Sequence, residues 1–303
     1  MKIVFAGSPQ FAVPALKALH KAGVEIVAVL TQPDKPVGRK KILTPTPVKA
    51  AALELGLPVY DFAKVRDHVR EISDLADIMI TCAYGQILTR EVLNCFNGGV
   101  WNLHASLLPK FRGASPIQSA ILAGEKYTGI TVMKTELEVD SGGILLVKRC
   151  EVGERTYGEL QAELSLLAAE AATEAIGYLK AGEPRLLIQD EAKVTHCKKI
   201  TKAEAVINFG CDAEEVVRLI RAMNPEPAAY CLQNGNPLNI LNAYVCDGAG
   251  EAGMVLSADK RGVCVACGRG AVMITELIPS GGKKMKAGDF ANGRKIKAGD
   301  KLD

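Results

Sequence analysis

The chain opens Met1-Lys2-Ile3-Val4-Phe5-Ala6-Gly7, runs through Pro9 to Lys21, and returns in Ile26-Val27-Ala28-Val29-Leu30. A short apolar run stopped by glycine reads as a buried strand. Phe11, Ala15, Leu16 and Leu19 then recur at helical spacing, and a second apolar run follows. Strands joined through a helix run parallel and are covered on both faces, which is why they read as continuous apolar runs. The same rhythm continues outward. Thr46-Pro47 supplies an N-cap and a proline for the first helical position, Asp77–Ala83 and Gly99–Leu103 are further strands, and Ser115-Pro116 repeats the helix start. The fold predicted for this half is α/β, with a Rossmann-like, doubly wound, mostly parallel sheet.

From Thr128 the pattern changes. An alternating strand to Glu138 is followed by Asp140-Ser141-Gly142-Gly143 and a returning apolar strand, Ile144–Val147. Residues 156–180 form one long helix rich in Ala, Leu and Glu, broken by Gly182-Glu183-Pro184. A helix over Asp212–Met223 opens the C-terminal part. Short β-rich runs follow at Tyr230–Leu232, Leu238–Val245, Gly253–Leu256, Gly262–Ala266 and Ala271–Leu277. Five short strands with Gly-rich turns predict a small OB-like β-barrel. The expected organisation is a catalytic domain over 1–188, a basic linker over 189–204 and the barrel domain over 205–303.

Hydrophobic residues make up 48% of the 303 residues and charged ones 23%, a balance that excludes a disordered chain. No apolar run approaches the ~20 residues a membrane helix needs, and the first apolar stretch is too short for a signal peptide. A cytoplasmic protein without membrane contact is expected. The nine cysteines are scattered, and the one close pair, Cys264 and Cys267, reads as two thiols packed in a strand; no metal is expected. The net charge of +3 is unevenly placed. Basic residues concentrate at Lys35, Arg39, Lys40 and Lys41, at Lys193, Lys198, Lys199 and Lys202, and in the tail from Gly281, which includes Lys283 and Lys284. Most such runs are solvated faces, and nucleic acid is the alternative they leave open.

The first turn, Gly7-Ser8-Pro9-Gln10, is not a dinucleotide fingerprint, and no phosphate-binding P-loop occurs. The chemistry lies elsewhere. Asn102 and His104 stand two apart at the end of an apolar strand, so both side chains project to one face. Polar groups there are costly unless they serve a ligand or each other. Asp140, ahead of two glycines, can be aimed inward beside them, although Asp-Ser-Gly-Gly is also an ordinary turn and His104 could be a structural histidine. An amide, an imidazole and a carboxylate together suit acyl-type transfer to a substrate that brings its own amine.

Asn102-Leu103-His104, Ser106-Leu107-Leu108-Pro109-Lys110-Phe111-Arg112-Gly113-Ala114-Ser115-Pro116-Ile117, Thr128-Gly129-Ile130-Thr131 and Asp140-Ser141-Gly142-Gly143 resemble the 10-formyltetrahydrofolate-dependent formyltransferase family. Thr31-Gln32-Pro33-Asp34-Lys35-Pro36-Val37-Gly38-Arg39 and Thr44-Pro45-Thr46-Pro47-Val48-Lys49 are similar to the members whose acceptor is initiator methionyl-tRNA. The resemblance implies attack of the methionyl α-amine on the formyl carbon, for translation initiation. Asn102 and His104 would stabilise the oxyanion, and Asp140 would orient His104 and help move the amine proton. It further implies that Ser106, Leu107, Leu108 and Pro109 bind the folate. Arg39 would reach the tRNA acceptor end, Lys40 and Lys41 would bind tRNA with it, and Lys198, Lys199, Lys283 and Lys284 would touch its backbone. A monomer is expected.

Departures from the family pattern occur at Glu226, where an aromatic residue is expected, at Ala228, where glycine is usual, and at Lys40, often glycine. Two alternatives remain open. Related enzymes formylate a small amine (a sugar nucleotide or glycinamide ribonucleotide) or hydrolyse formyltetrahydrofolate with the same three residues. A non-catalytic RNA-binding protein on a decayed scaffold is the other.

Overall fold

The computed structural model describes every residue except Arg39, Glu183 and Arg294. Two compact units emerge, neither continuous in sequence: Met1–Pro116 with Tyr127–Glu151 and Gln161–Cys197, and Ile117–Lys126 with Val152–Leu160 and Lys198–Asp303.

The first unit is built on a seven-stranded sheet. Lys2–Gly7 lies inside it, flanked by Glu25–Leu30 and then Val59–Tyr60 on one side. On the other side lie Ile78–Cys82, Val100–His104, Tyr127–Lys134 and Ile144–Glu151. Pairing is parallel from Val59–Tyr60 across to Val100–His104, and Tyr127–Lys134 runs antiparallel to both its neighbours, Val100–His104 and Ile144–Glu151. The expected doubly wound, mostly parallel sheet is therefore present. Ile3, Val4, Phe5 and Ala6 are fully buried, each large apolar side chain contributing about 1.5–3 kcal/mol. The helix Val13–Lys21 buries Leu16 and Leu19. Thr46 caps Pro47–Glu54 by accepting the Lys49 N–H at 3.1 Å, as the Thr-Pro pair predicts.

Of the early basic cluster, Lys35 begins a two-stranded ribbon, Lys35–Val37 with Ile42–Thr44, and Lys40 and Lys41 lie in the turn before its second strand. Val37, Ile42 and Leu43 on it are exposed.

The second unit holds a six-stranded antiparallel sheet around Ile220, Ile240, Val265 and Leu277. All five strands expected of the barrel are present, joined by Met285–Lys286. Closure comes from the end of the chain. Leu302 bridges to Gln233 on one edge strand, and Lys301 bridges to Met254 beside the other. Asp212 and Glu215 form a capping box at the start of Ala213–Met223. Cys264 and Cys267 are buried, and among the described residues no group of His, Cys, Asp or Glu could hold a metal ion.

Candidate active site

Three strand ends and two turns bring the expected residues together in the first unit. Val100–His104 runs parallel to Ile78–Cys82, with Asn102 opposite Thr81, and antiparallel to Tyr127–Lys134, with His104 opposite Thr131. The Thr81 hydroxyl has one proton. Its oxygen lies 2.9 Å from Asn102 Oδ1 and 3.4 Å from the Trp101 carbonyl, so the shorter bond to Asn102 takes it. That bond fixes the Asn102 amide with its NH₂ toward Asp140, where Nδ2 lies 3.5 Å from Oδ1, at the outer limit of hydrogen bonding.

His104 is buried, with 5% of its side chain exposed, and Asp140 is nearly so at 11%. The imidazole Nε2 is 3.0 Å from the Phe111 carbonyl, which can only accept, so Nε2 carries a hydrogen. Nδ1 faces Asp140 Oδ2 at 3.5 Å. The same oxygen accepts the Gly113 N–H at 2.8 Å. Asp140 stands in left-handed backbone, φ +54°, which turns its side chain back over the strand ends. A primary amide, an imidazole and a carboxylate thus converge at the carboxyl edge of the sheet, where open α/β sheets hold ligands.

Among the described residues, no nearby nucleophile is armed to carry an acyl group. Cys82 ends the adjoining strand fully buried, and burial pushes its thiol up to about 12. Ser106 donates its hydroxyl to the Lys110 carbonyl at 2.6 Å. The arrangement suits direct transfer to an incoming amine, with no covalent enzyme intermediate.

The segment expected to bind folate leaves His104 as a tight turn. The Thr131 hydroxyl donates to the Ser106 carbonyl at 2.6 Å and accepts the Leu108 N–H at 3.2 Å. Leu108 packs with Met133 and Ile144 in the core, whereas Leu107 and Pro109 are half-buried. This turn offers a ligand Leu107, Pro109 and backbone groups, since the Ser106 hydroxyl and Leu108 are already engaged.

Of the expected tRNA residues, Arg39 lies outside the described residues. Lys40 and Lys41 are exposed in the first unit, where Lys41 rather than Lys40 takes the left-handed backbone at φ +48°. Lys198, Lys199, Lys283 and Lys284 are exposed in the second unit. Lys284 is paired with Glu276 at 2.9 Å.

Sequence reasoning missed Thr81, Phe111, Gly113 and residues 189–197. Phe111–Ala114 is held by a stretch expected to begin a linker: Arg112–Gly113 pairs in parallel with His196–Cys197. The Phe111 N–H donates to Thr195 Oγ1 at 2.8 Å. A Gly following Arg at 112–113, in a chain stretch otherwise without periodicity, was the one signal that backbone approaches closely there.

The formyl transferase family model matches residues 1–176, and the model for the formyl transferase C-terminal domain matches residues 199–295. The methionyl-tRNA formyltransferase of Neisseria gonorrhoeae is 44% identical over 308 residues, covering 100% of both chains. That of Coxiella burnetii is 42% identical, covering 100% of this chain and 97% of its own. Among solved structures, the Helicobacter canadensis N-formyltransferase in complex with folinic acid and dTDP-3-aminofucose aligns at a TM-score of 0.72 and 17% identity, over 94% of this chain and 100% of that one. HypX from Aquifex aeolicus in complex with tetrahydrofolic acid aligns at 0.66 and 18% identity, over 95% of this chain and 46% of that one. At these identities the solved structures share the fold.

Proposed function

The chain belongs to the formyl transferase family, and from that premise we propose that it moves the formyl group of 10-formyltetrahydrofolate onto the α-amine of methionyl-initiator tRNA. The observation that carries this reading is similarity of 44% along the whole chain, barrel unit included, to an enzyme named for that acceptor. Formylation of a small amine is less well supported, because the Helicobacter canadensis N-formyltransferase, bound to dTDP-3-aminofucose, is similar at 17% identity, in fold alone.

Asn102, His104 and Asp140 are the residues proposed for the chemistry. Bound 10-formyltetrahydrofolate supplies an acyl carbon that an amine can attack directly. Asn102, its amide oriented by Thr81, offers an N–H to the oxygen on which negative charge collects. His104 stabilises that oxygen from beside it, and an N–H reaches the oxygen only as the ring leaves the Phe111 carbonyl, since Nε2–H is held there and Nδ1 faces Asp140. Asp140 holds the imidazole and accepts the proton the amine loses as its nitrogen bonds to the formyl carbon; the bond from that carbon to N10 of the folate then breaks, and the proton passes to N10 as tetrahydrofolate leaves. Near-complete burial of His104 and Asp140 keeps their mutual attraction from being screened by water.

The folate side of the site is assigned to Leu107, Pro109 and the backbone from Ser106 to Leu108. The tRNA side is assigned to the exposed lysines, Lys40, Lys41, Lys198, Lys199 and Lys283, with Arg39 and Lys284, as phosphate contacts. None of the described helices is long and apolar enough to cross a membrane. We place the protein in the cytoplasm, acting as a monomer.

Incubation with 10-formyltetrahydrofolate and methionylated initiator tRNA, alongside a nucleotide-linked amino sugar, tests the assignment. Formylmethionine is the expected product. Formylation of the amino sugar alone would replace this reading.

A further inference from the structure

Gln189 lies 49 residues beyond Asp140 in sequence, and its side chain is 6% exposed. Its Nε2 donates to the Asp140 carbonyl at 2.8 Å and to the Gly142 carbonyl at 2.8 Å. Its Oε1 accepts from Arg112 Nε at 3.1 Å and from Arg112 Nη2 at 3.0 Å. A primary amide has two donors and two acceptor lone pairs, and all four are used. The amide orientation is therefore forced. Reversing it would set two N–H groups against a guanidinium and an oxygen against two carbonyls.

Arg112 is the largest fully buried side chain among the described residues, and Glu191 holds its Nη2 at 2.7 Å. A buried cation so fixed gives the Gln189 oxygen one place to sit. The NH₂ group is then delivered to the two carbonyls that bracket the Asp140 turn. The next residue, Gly113, donates its N–H to the Asp140 carboxylate itself. Backbone and side chain of Asp140 are thus anchored to one dipeptide, the side chain directly and the backbone through Gln189. Such an anchor offsets the cost that the left-handed backbone of Asp140, φ +54°, carries for an L residue.

We infer that Gln189, set by Arg112, is a positioning residue that aims the Asp140 carboxylate at His104 during formyl transfer. This rests on the reading of Asp140 as a catalytic residue. Gln189 touches no reacting atom. Its effect falls on kcat, because a carboxylate displaced by a fraction of an ångström weakens its hold on the transition state while the surfaces that bind folate and tRNA persist.

The test is steady-state formylation of methionyl-tRNA by the full chain and by Gln189→Glu, Gln189→Met and Asp140→Asn, with melting temperatures measured in parallel. Gln189→Glu keeps an acceptor for Arg112, so the buried cation stays paired and the chain folds. It opposes an oxygen to the carbonyls of Asp140 and Gly142, so the turn opens. The expected result is a kcat lower by about 10- to 100-fold, with KM for both substrates changed by less than about twofold. Gln189→Met should behave alike in whatever fraction folds. Gln189→Glu that folds with kcat within about twofold of the unaltered chain would overturn the inference, as would a rise in KM at constant kcat. Failure of Gln189→Glu to fold would also count against it, making Gln189 a purely structural group. Asp140→Asn separates the two levels: full turnover there removes the catalytic reading and this inference with it, whereas lost turnover there beside a normal Gln189→Glu sinks the inference alone.

Discussion

Gly113 donates its backbone N–H to Asp140 Oδ2 at 2.8 Å, from a position that no side chain could occupy. A Cβ there would stand 2.1 Å from the Cys197 carbonyl, at a φ of +125°. The glycine lets the Arg112–Gly113 strand lie against His196–Cys197 while its N–H faces the carboxylate. Gly113→Ala is expected to cost about 2–4 kcal/mol of stability through strain and disrupted strand pairing. It should also lower formyl transfer in the fraction that remains folded. Thermal melts and kcat per folded molecule check both; a variant with unaltered melting and turnover contradicts this role for the glycine.

His104→Ala and Asn102→Ala separate chemistry from binding. The expected losses in kcat are about 10²–10⁴ for the imidazole and about 10²–10³ for the amide. Folate and tRNA affinity, measured by titration, should stay largely intact. Thr81→Val leaves Asn102 Oδ1 without its donor and should cost roughly tenfold, the worth of one hydrogen bond. A Thr81→Val enzyme as impaired as Asn102→Ala would mean that Thr81 does more than orient the amide.

The exposed lysines make an electrostatic prediction. Lys198→Ala with Lys199→Ala should raise KM for the tRNA and leave KM for the folate unchanged. The slope of log affinity against log salt should fall by about one to two, because two fewer ammonium groups then neutralise phosphates. An unchanged slope would take both residues off the tRNA path. Lys284→Ala should matter less, since Glu276 already pairs that ammonium at 2.9 Å.

Ala228 occupies left-handed backbone at φ +65°, at a position where the family pattern usually has glycine. An L residue held there costs roughly 1–2 kcal/mol, partly offset because alanine restricts the unfolded chain more than glycine does. Ala228→Gly should stabilise the barrel unit by about 0.5–1 kcal/mol, seen as a rise of a few degrees in its melting transition. A fall in melting temperature would show that the methyl group packs for more than the strain costs.

The sheet was legible because its strands are apolar runs bounded by glycine or a Thr-Pro cap, signals contained within a few residues. Asn102 and His104 were legible for a related reason, as polar breaks at the end of such a run; the strand expected to reach Glu138 stops at Lys134, and Asp140 stands beyond it in a turn marked by the two glycines that follow. Their supports were not. Gln189 acts on Asp140 from 49 residues away, and Thr195 holds the Phe111 N–H from 84 residues away. Both lie in a stretch without periodicity that reads as a linker. The end of the chain was hidden for the same reason. Its lysines read as a charged tail, yet Leu302 is 1% exposed and closes the barrel against Gln233. Local pattern carries elements and strand ends, whereas pairing between distant irregular segments leaves no local trace.

Asp140, beside His104 and Asn102, is proposed to carry formyl transfer to a tRNA-borne amine. Single-turnover formylation of methionyl-initiator tRNA by the unaltered chain and by Asp140→Asn, with 10-formyltetrahydrofolate saturating, tests it most directly. Formylmethionyl-tRNA is expected from the unaltered chain, and a rate at least about 10²-fold lower from Asp140→Asn. Equal rates, or no formylmethionyl-tRNA from either, would contradict that role.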